Sequence, residues 1–434
     1  MCCSLREGGA RTAAPKQMKI LFVANVADLY GASRSLLRLA TQLSTDGHGV
    51  EVVLPQDGPL RGKLEQVGVR TVIEHELAVV TRKRLRASRG WVELVRRFVR
   101  STVRLVAHIR SAKPDVVHTN AAVVLSSGLA ARICGVPHIW HVREFLADVS
   151  RAWLVYQWFM ALCSSVILCN SQAVASQFHG LIRKRKVRVV YNGIPAHEVI
   201  SLPVEDVEDL RRKHRLIGRP IAGVVGRIHL DQKGQDVFVK AAALVAHSHP
   251  EALFVVAGSA FPGNEEHQRR LDCLIEERGL AGRVRLTGDI GNPAALFAIL
   301  DICVLPAVKP EGLGNVLIEA MATGKAVIGT RLGGVPEIIE HGKSGFLVEP
   351  NDHKGLAAAL AQLLEDDDLR SRMGEEGRRR YQRLFEFSGC YRRVLEVYSS
   401  LAERASLIEQ RPPGAASDLD CIGNRHECIS PPPV

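Results

Sequence analysis

Residues 204–226 read VEDVEDLRRKHRLIGRPIAGVVG, and the fold turns on this stretch. Its first part, VEDVEDLRRKHRL, is charged and helix-prone, whereas IAGVVG at 221–226 is a short Val-rich run of the kind that forms a buried parallel strand. Upstream lies a series of similar runs separated by helical stretches: KILFVAN, VEVVLP, VRTVIE, DVVHTN, PHIWHV, VILCNS and VRVVYNG. Downstream the alternation restarts with IAGVVG, LFVVAG, VRLTGD, ICVLPA, AVIGT and GFLVEP. Strands alternating with helices predict βα units on parallel sheets, and the interruption at 201–216 divides them into two α/β, Rossmann-like halves. We expect one domain over 18–200, a linker over 201–216 and a second domain over 217–380. A helix over 381–405 is expected to cross back onto the first half.

The totals agree with this division. A chain of 434 residues, 46% apolar and 24% charged, is long enough for two cores. The nearest approach to a membrane span, WLVYQWFMALCSSVILC at 153–169, is broken by Gln157, Ser164 and Ser165 and reads as helix then strand. Residues 1–17 lack the apolar stretch of a secretory signal and are expected to be disordered, which places the chain in the cytoplasm. The tail at 406–434, rich in Pro, Gly and Ser, is expected to be disordered as well. Ten scattered cysteines form no CxxC pair and no Cys/His cluster, so neither a zinc site nor a disulfide framework is predicted; Cys421 and Cys428 are the only candidates for a pair. No metal and no other cofactor is expected.

Ligands of open parallel sheets bind beyond the carboxyl ends of the strands. The loops there carry neither GxGxxG nor GxxxxGK[ST], which argues against dehydrogenases and P-loop enzymes. After the first strand, Gly31 precedes an amphipathic helix, where it either makes the turn or lets the backbone approach a ligand. GVVGRIHLDQKGQD sets Arg227 and Lys233 in a glycine-bearing loop before a helix, two cations suited to a pyrophosphate. EGLGNVLIEA at 311–320 is harder to reconcile, because backbone N–H groups around Leu313, Gly314, Asn315 and Val316 favour an anion while Glu311 and Glu319 are anions themselves. The conflict disappears if the carboxylates meet hydroxyl donors, and a nucleotide sugar supplies phosphates and hydroxyls together. The alternative is an exposed loop Glu and a solvated helix Glu.

On these motifs the chain resembles the retaining glycosyltransferases of family 4, which have the GT-B fold of two facing Rossmann-like domains. Glu311 and Glu319 match the family's E-x7-E motif, and Arg227 with Lys233 matches its GRxxxxxKG segment. Gly31, VVYNGI at 189–194 and GGVPEII at 333–339 extend the resemblance over residues 18 to about 405. The resemblance implies that Glu311 contacts the donor hexose, Glu319 the ribose, and Arg227 with Lys233 the diphosphate in place of a metal. It also implies a histidine near the donor sugar at the end of the fifth strand, which is His141 here, with Arg143 and Glu144 on the acceptor side. Asp289 and Ile290 are nucleobase candidates. Where many relatives have two glycines this chain has YGAS, so contacts near Gly31 are expected to differ. The DDD at 366–368 reads as a helix start and the DLD at 418–420 as tail.

The formal net charge is +11, and residues 81–113 hold eleven Lys/Arg against Glu93 alone, a net +10. Projected on a helix, Trp91, Leu94, Val95, Phe98, Leu105, Val106 and Ile109 share one face, with Arg89, Arg96, Arg97, Arg100 and Arg104 opposite. The apolar face is expected to dock on the first domain and the basic face to point outward, either solvated or against an anionic membrane surface. Nucleic acid is disfavoured, since no binding module accompanies the charge. Motifs and charge together predict a metal-independent retaining glycosyltransferase, cytoplasmic and peripheral on the inner face of the membrane. Its donor would be UDP- or GDP-linked and its acceptor a glycan or lipid-linked glycan. A catalytically silent nucleotide-sugar or membrane-binding module and a sugar-nucleotide epimerase are the alternatives.

Overall fold

All thirteen Val/Ile-rich runs form parallel strands in the computed structural model, which describes residues 17–80, 90–146, 150–200, 203–216, 220–260, 263–290 and 293–409. The first seven are β1 (Lys19–Val23), β2 (Gly49–Leu54), β3 (Arg70–Ile73), β4 (Val116–Thr119), β5 (His138–Val142), β6 (Val166–Cys169) and β7 (Val187–Val189). They build one sheet in the order β3-β2-β1-β4-β5-β6-β7. β8 (Ile221–Val225), β9 (Leu253–Ala257), β10 (Val284–Gly288), β11 (Ile302–Leu305), β12 (Ala326–Thr330) and β13 (Phe346–Val348) build a second, ordered β10-β9-β8-β11-β12-β13. Strand order reverses between β1 and β4 in the first sheet (Ile20 opposite Val116) and between β8 and β11 in the second (Val224 opposite Val304). At such reversals neighbouring loops diverge and leave a crevice at the carboxyl edge. β5, β9 and β12 are buried at every residue, as expected of strands covered on both faces.

Six helices position the cleft and the outer surface of the first domain: α1 (Gly31–Thr45), α2 (Gly90–Ala112), α3 (Ser150–Cys163), α4 (Val204–His214), α5 (Asn315–Ala322) and α6 (Phe387–Glu409). α1 buries Leu36, Leu39, Ala40 and Leu43, and its start is tied by Asp28 Oδ1, which accepts from Tyr30 N at 3.1 Å and Ser33 Oγ at 2.9 Å. α4 is the connector whose charge marked the division of the chain. α6 returns from the second half and buries Tyr391, Val394, Tyr398 and Leu401 in the core that holds Phe22 and Leu168. Two facing Rossmann-like domains with a returning C-terminal helix are the GT-B architecture. The stretch 153–169 is indeed helix then strand. Among the described residues no helix is long and apolar enough to cross a membrane. Cys134, Cys163, Cys169, Cys273, Cys303 and Cys390 are free, whereas Cys421, Cys428 and the DLD at 418–420 lie outside the described residues. Asp366 of the DDD caps a helix, accepting from Leu369 N at 2.7 Å.

α2 corrects the expected division of its faces. Leu94, Leu105 and Ile109 are buried, but Trp91 is 57% and Val95 59% exposed, and Val92, Val99 and Val103 join them on the surface. The inward stripe runs through Leu94, Ser101, Thr102, Leu105 and Ile109, so Val92, Val95, Val99 and Val103 occupy the next row of the helix, turned away from the domain. Trp91 has the inward phase but sits in the first turn, where it remains uncovered. The basic row is less free than its composition implied. Arg96 and Arg97 pair with Glu93 at 3.3 and 2.8 Å, and Arg104 pairs with Glu74 at 2.9 Å; Arg89 lies outside the described residues. The neighbouring α3, joined through Phe98 and Phe159 with ring centroids 6.3 Å apart, exposes Leu154, Val155, Trp158 and Leu162.

Candidate active site

The carboxyl edges of the two sheets face each other across an open cleft of about 840 Å³. Tyr30, Gly31, Arg34, Arg38, Arg143, Asn170, Asn192 and Glu198 line it from one side; Gly226, Arg227, Lys233, Asp289, Ile290, residues 311–316 and Glu319 line it from the other. Ten of the proposed donor-side residues are therefore brought together: Gly31, Arg227, Lys233, Glu311, Leu313, Gly314, Asn315, Val316, Glu319 and Asp289, with Ile290 beside them.

On the second-domain wall the loop after β8 is braced from beneath by Gln235, which is fully buried. Its Nε2 donates to the Arg227 carbonyl at 2.8 Å and its Oε1 accepts from His229 N at 3.3 Å. Lys233 Nζ donates to Glu311 Oε1 at 2.6 Å. Gly314, at φ 93°, a conformation that side chains resist, turns the chain into α5. Gly312 carries no side chain for a different reason, since a Cβ there would overlap the Arg143 carbonyl oxygen of the other domain. The GGVPEII segment supports this loop: Gly334 N donates to the Glu311 carbonyl at 2.9 Å, and Glu337 accepts from Gln172 N and Ala173 N, both at 2.8 Å, across the domains. Glu319 is 7% exposed and meets Arg34 at 3.2 Å and Arg38 at 3.5 Å, while Arg38 also grips Glu198 through bonds of 2.7 to 3.0 Å. Each motif glutamate thus has a cation delivered by a different loop or domain, which explains how two carboxylates coexist with an anion-attracting helix start. Asp289 Oδ1 accepts from Ser259 N at 3.0 Å, fixing the turn that lines the cleft.

Around Arg143 the first-domain wall is held by uncharged groups. Tyr398 Oη lies 2.7 Å from His118 Nδ1, His118 Nε2 lies 3.2 Å from His141 Nδ1, and Arg143 donates from one terminal nitrogen to His141 Nδ1 and Asn120 Oδ1, each at 3.2 Å. Its other terminal nitrogen donates to Asn192 Oδ1, and Asn192 Nδ2 donates to Asn315 Oδ1 at 2.9 Å. Burial, with the Arg143 charge second, holds His118 and His141 well below the usual histidine range, so both are neutral. The donors then run one way: Tyr398 O–H to His118, His118 N–H to His141, Arg143 to His141. His141 Nε2 is enclosed with no protein partner. His141 is 3% exposed and stands behind Arg143 instead of lining the cleft. Glu144 does not line it either. Its oxygens accept from Ala122 N at 3.0 Å and Arg143 N at 2.9 Å, so the expectation of an acceptor-facing carboxylate is replaced by a backbone cap, whose own burial raises its pKa.

Sequence reasoning missed Tyr30, Arg34, Arg38, Asn120, Asn192, Glu198 and Gln235. Tyr30 places its ring 3.9 Å from the Arg227 guanidinium carbon, from the opposite domain, at the position where YGAS departs from two glycines. Tyr30, Asn120, Asn192 and Gln235 lay within the quoted YGAS, DVVHTN, VVYNGI and GVVGRIHLDQKGQD, whereas Arg34, Arg38 and Glu198 lay in none of the quoted motifs.

Residues 30–198 match the model described as Glycosyltransferase Family 4 and residues 206–380 the model described as Glycosyl transferases group 1, so the two together span most of the chain. The N-acetyl-alpha-D-glucosaminyl L-malate synthase of Bacillus anthracis is 31% identical over 217 residues, 50% of this chain and 54% of that protein. The D-inositol 3-phosphate glycosyltransferase of Corynebacterium urealyticum is 30% identical over 264 residues, 58% of this chain and 61% of that protein. The chain therefore spans somewhat more than half the length of these curated relatives. Among solved structures, Anabaena Alr3699/HepE in complex with UDP-glucose superposes with a TM-score of 0.75 at 24% identity, covering 88% of this chain and all of that one, a likeness of fold.

Proposed function

Because this chain belongs to the family 4, group 1 glycosyltransferases, we propose that it moves a sugar from a UDP- or GDP-linked donor to a glycan or lipid-linked glycan acceptor, with retention and without a metal ion. The observation that carries this reading is the pairing of Lys233 with Glu311 at 2.6 Å beside the start of α5. A leaving diphosphate needs positive charge preorganised where its own charge develops. Arg227 and Lys233 supply it, and the N–H groups around Leu313–Val316 receive the remaining oxygens. As Lys233 turns to the phosphate, Glu311 is freed to accept from donor-sugar hydroxyls, and Glu319, held by Arg34 and Arg38, accepts from the ribose. The base rests against the backbone of Asp289 and Ile290. His141 acts through Arg143, which it keeps at the cleft.

The face formed by α2 and α3 supports a peripheral membrane position for the same enzyme. Valines and tryptophans beside arginines suit the headgroup boundary of an anionic bilayer, and the apolar row now contributes alongside charge that is partly neutralised by Glu74 and Glu93. Vesicles of anionic lipid should sediment the protein, with part of the binding surviving raised ionic strength. Complete release by salt would reduce the face to its arginines.

The reaction itself is tested by following free nucleoside diphosphate. Time-dependent release from a UDP- or GDP-sugar in the presence of acceptor supports transfer. Interconversion of the sugar nucleotide without release would instead identify an epimerase, and binding without either would identify a silent module.

A further inference from the structure

Arg143 differs from the other cations that line the cleft, of which Lys63 is open to solvent. Lys233 has Glu311, Arg34 and Arg38 share Glu198 and Glu319, and Arg227 lies on the Tyr30 ring. The Arg143 guanidinium has only neutral acceptors, Asn120, Asn192 and His141, and its Nε is enclosed without a partner. The adjacent carboxylate is spent on backbone, since Glu144 accepts from the N–H groups of Ala122 and Arg143. Burial pushes the Arg143 pKa down to about 10, which still leaves the group charged at neutral pH. A shielded cation whose hydrogen bonds all go to neutral groups, with the Glu144 charge offsetting only part of its burial, is costly, and a matching anion in the same place is correspondingly favourable.

We propose that Arg143 is the anion-recognising residue of the acceptor subsite, so that the acceptor carries a phosphate or carboxylate beside the hydroxyl that receives the sugar. The proposal rests on the glycosyl-transfer reading of this cleft and narrows the acceptor to anionic molecules. Position assigns the anion to the acceptor and not to the donor. The guanidinium is held from the carboxyl edge of the first sheet, by Asn120 after β4, His141 on β5 and Asn192 after β7, whereas the diphosphate cations Arg227 and Lys233 come from the second. Asn192 also bonds Asn315 at 2.9 Å, which sets the anion next to the start of α5, where the sugar is transferred. The terminal nitrogen that meets Asn192 keeps one further N–H, and a charge-assisted bond from it suits either a phosphate or a carboxylate.

The test is calorimetric titration of inorganic phosphate, and separately of malonate, into protein saturated with UDP or GDP, whichever binds. The parent should bind at least one of these anions saturably. Arg143→Gln should weaken that binding by about tenfold or more, the scale of losing a charge-assisted hydrogen bond, while leaving nucleoside diphosphate affinity within about twofold. Arg143→Lys should retain part of the anion affinity. Asn192→Asp, which keeps the guanidinium but gives it a fixed counter-ion, should block the anion as strongly as Arg143→Gln. Absence of saturable binding to the parent, equal binding to the parent and Arg143→Gln, or undiminished binding to Asn192→Asp overturns the proposal. So does a tenfold loss of nucleotide affinity in Arg143→Gln, which would hand the guanidinium to the donor's diphosphate. If neither nucleotide binds the parent, it is the glycosyl-transfer reading that fails, and the same titrations without nucleotide still decide whether Arg143 holds an anion.

Discussion

On the second-domain wall of the cleft Lys233 meets Glu311 at 2.6 Å and Glu319 reaches across to Arg34 and Arg38 of the first domain, whereas on the opposite wall Arg143 is held by two asparagines and a neutral histidine. The partly exposed Lys233–Glu311 pair can exchange partners at modest cost, because water and the incoming phosphate compensate the separated charges. A buried relay of neutral donors cannot rearrange without stranding a polar group. The Lys233–Glu311 pair is therefore suited to shifting as the donor binds and leaves, and the uncharged surround of Arg143 to holding one cation in one place. Binding and charge neutralisation are thus separated from positioning, a separation that substitutions on either wall can break.

The largest expected effect lies on the ion-paired wall. Lys233→Ala or Arg227→Ala should lower turnover at saturating donor by roughly two orders of magnitude, the scale of one preorganised electrostatic contact, with the fold intact because neither side chain is part of a core. Near-parental turnover in both would remove the assignment. Acid should act mainly on the other domain. Burial holds His138 at about 3 and His118 and His141 well below the usual value. With the folded pKa depressed, the unfolded chain takes up protons first, so this stability is complete above about pH 6.5 and is lost as pH falls toward the folded values. Between pH 7.5 and 5 His138 alone should cost about 2 kcal/mol in denaturant titrations. His138→Asn should lose that much less over the same interval, whatever its stability at pH 7.5. A smaller effect is expected at the far end of the relay: Tyr398→Phe deprives buried His118 of its donor and should cost about 1–2 kcal/mol in unfolding free energy with unchanged nucleotide affinity. No loss of stability would show that the relay is not cooperative.

The parts legible in the sequence are those governed by local pattern. Thirteen apolar runs gave thirteen parallel strands, and loops recognised by glycine and charge, Gly226–Lys233 and Glu311–Val316, do meet in the cleft. The illegible parts depend on distant chain segments. Nothing near Arg38 announces Glu198, 160 residues away, and nothing near His118 announces Tyr398, 280 residues away. Glu144 shows a different limit, because a carboxylate beside a strand end looks available until its backbone donors are known. For α2, periodicity supplied the angle of each side chain but not where the supporting domain ends, so Trp91 was placed inside on phase and is found outside on position.

The division of labour between the walls is tested most directly by calorimetric titration of nucleoside diphosphate into the parent, Lys233→Ala and His141→Asn. The account predicts that Lys233→Ala weakens the nucleotide by about tenfold or more, while His141→Asn leaves its affinity within about twofold and loses turnover instead. Equal weakening in the two variants, or weakening confined to His141→Asn, would contradict it.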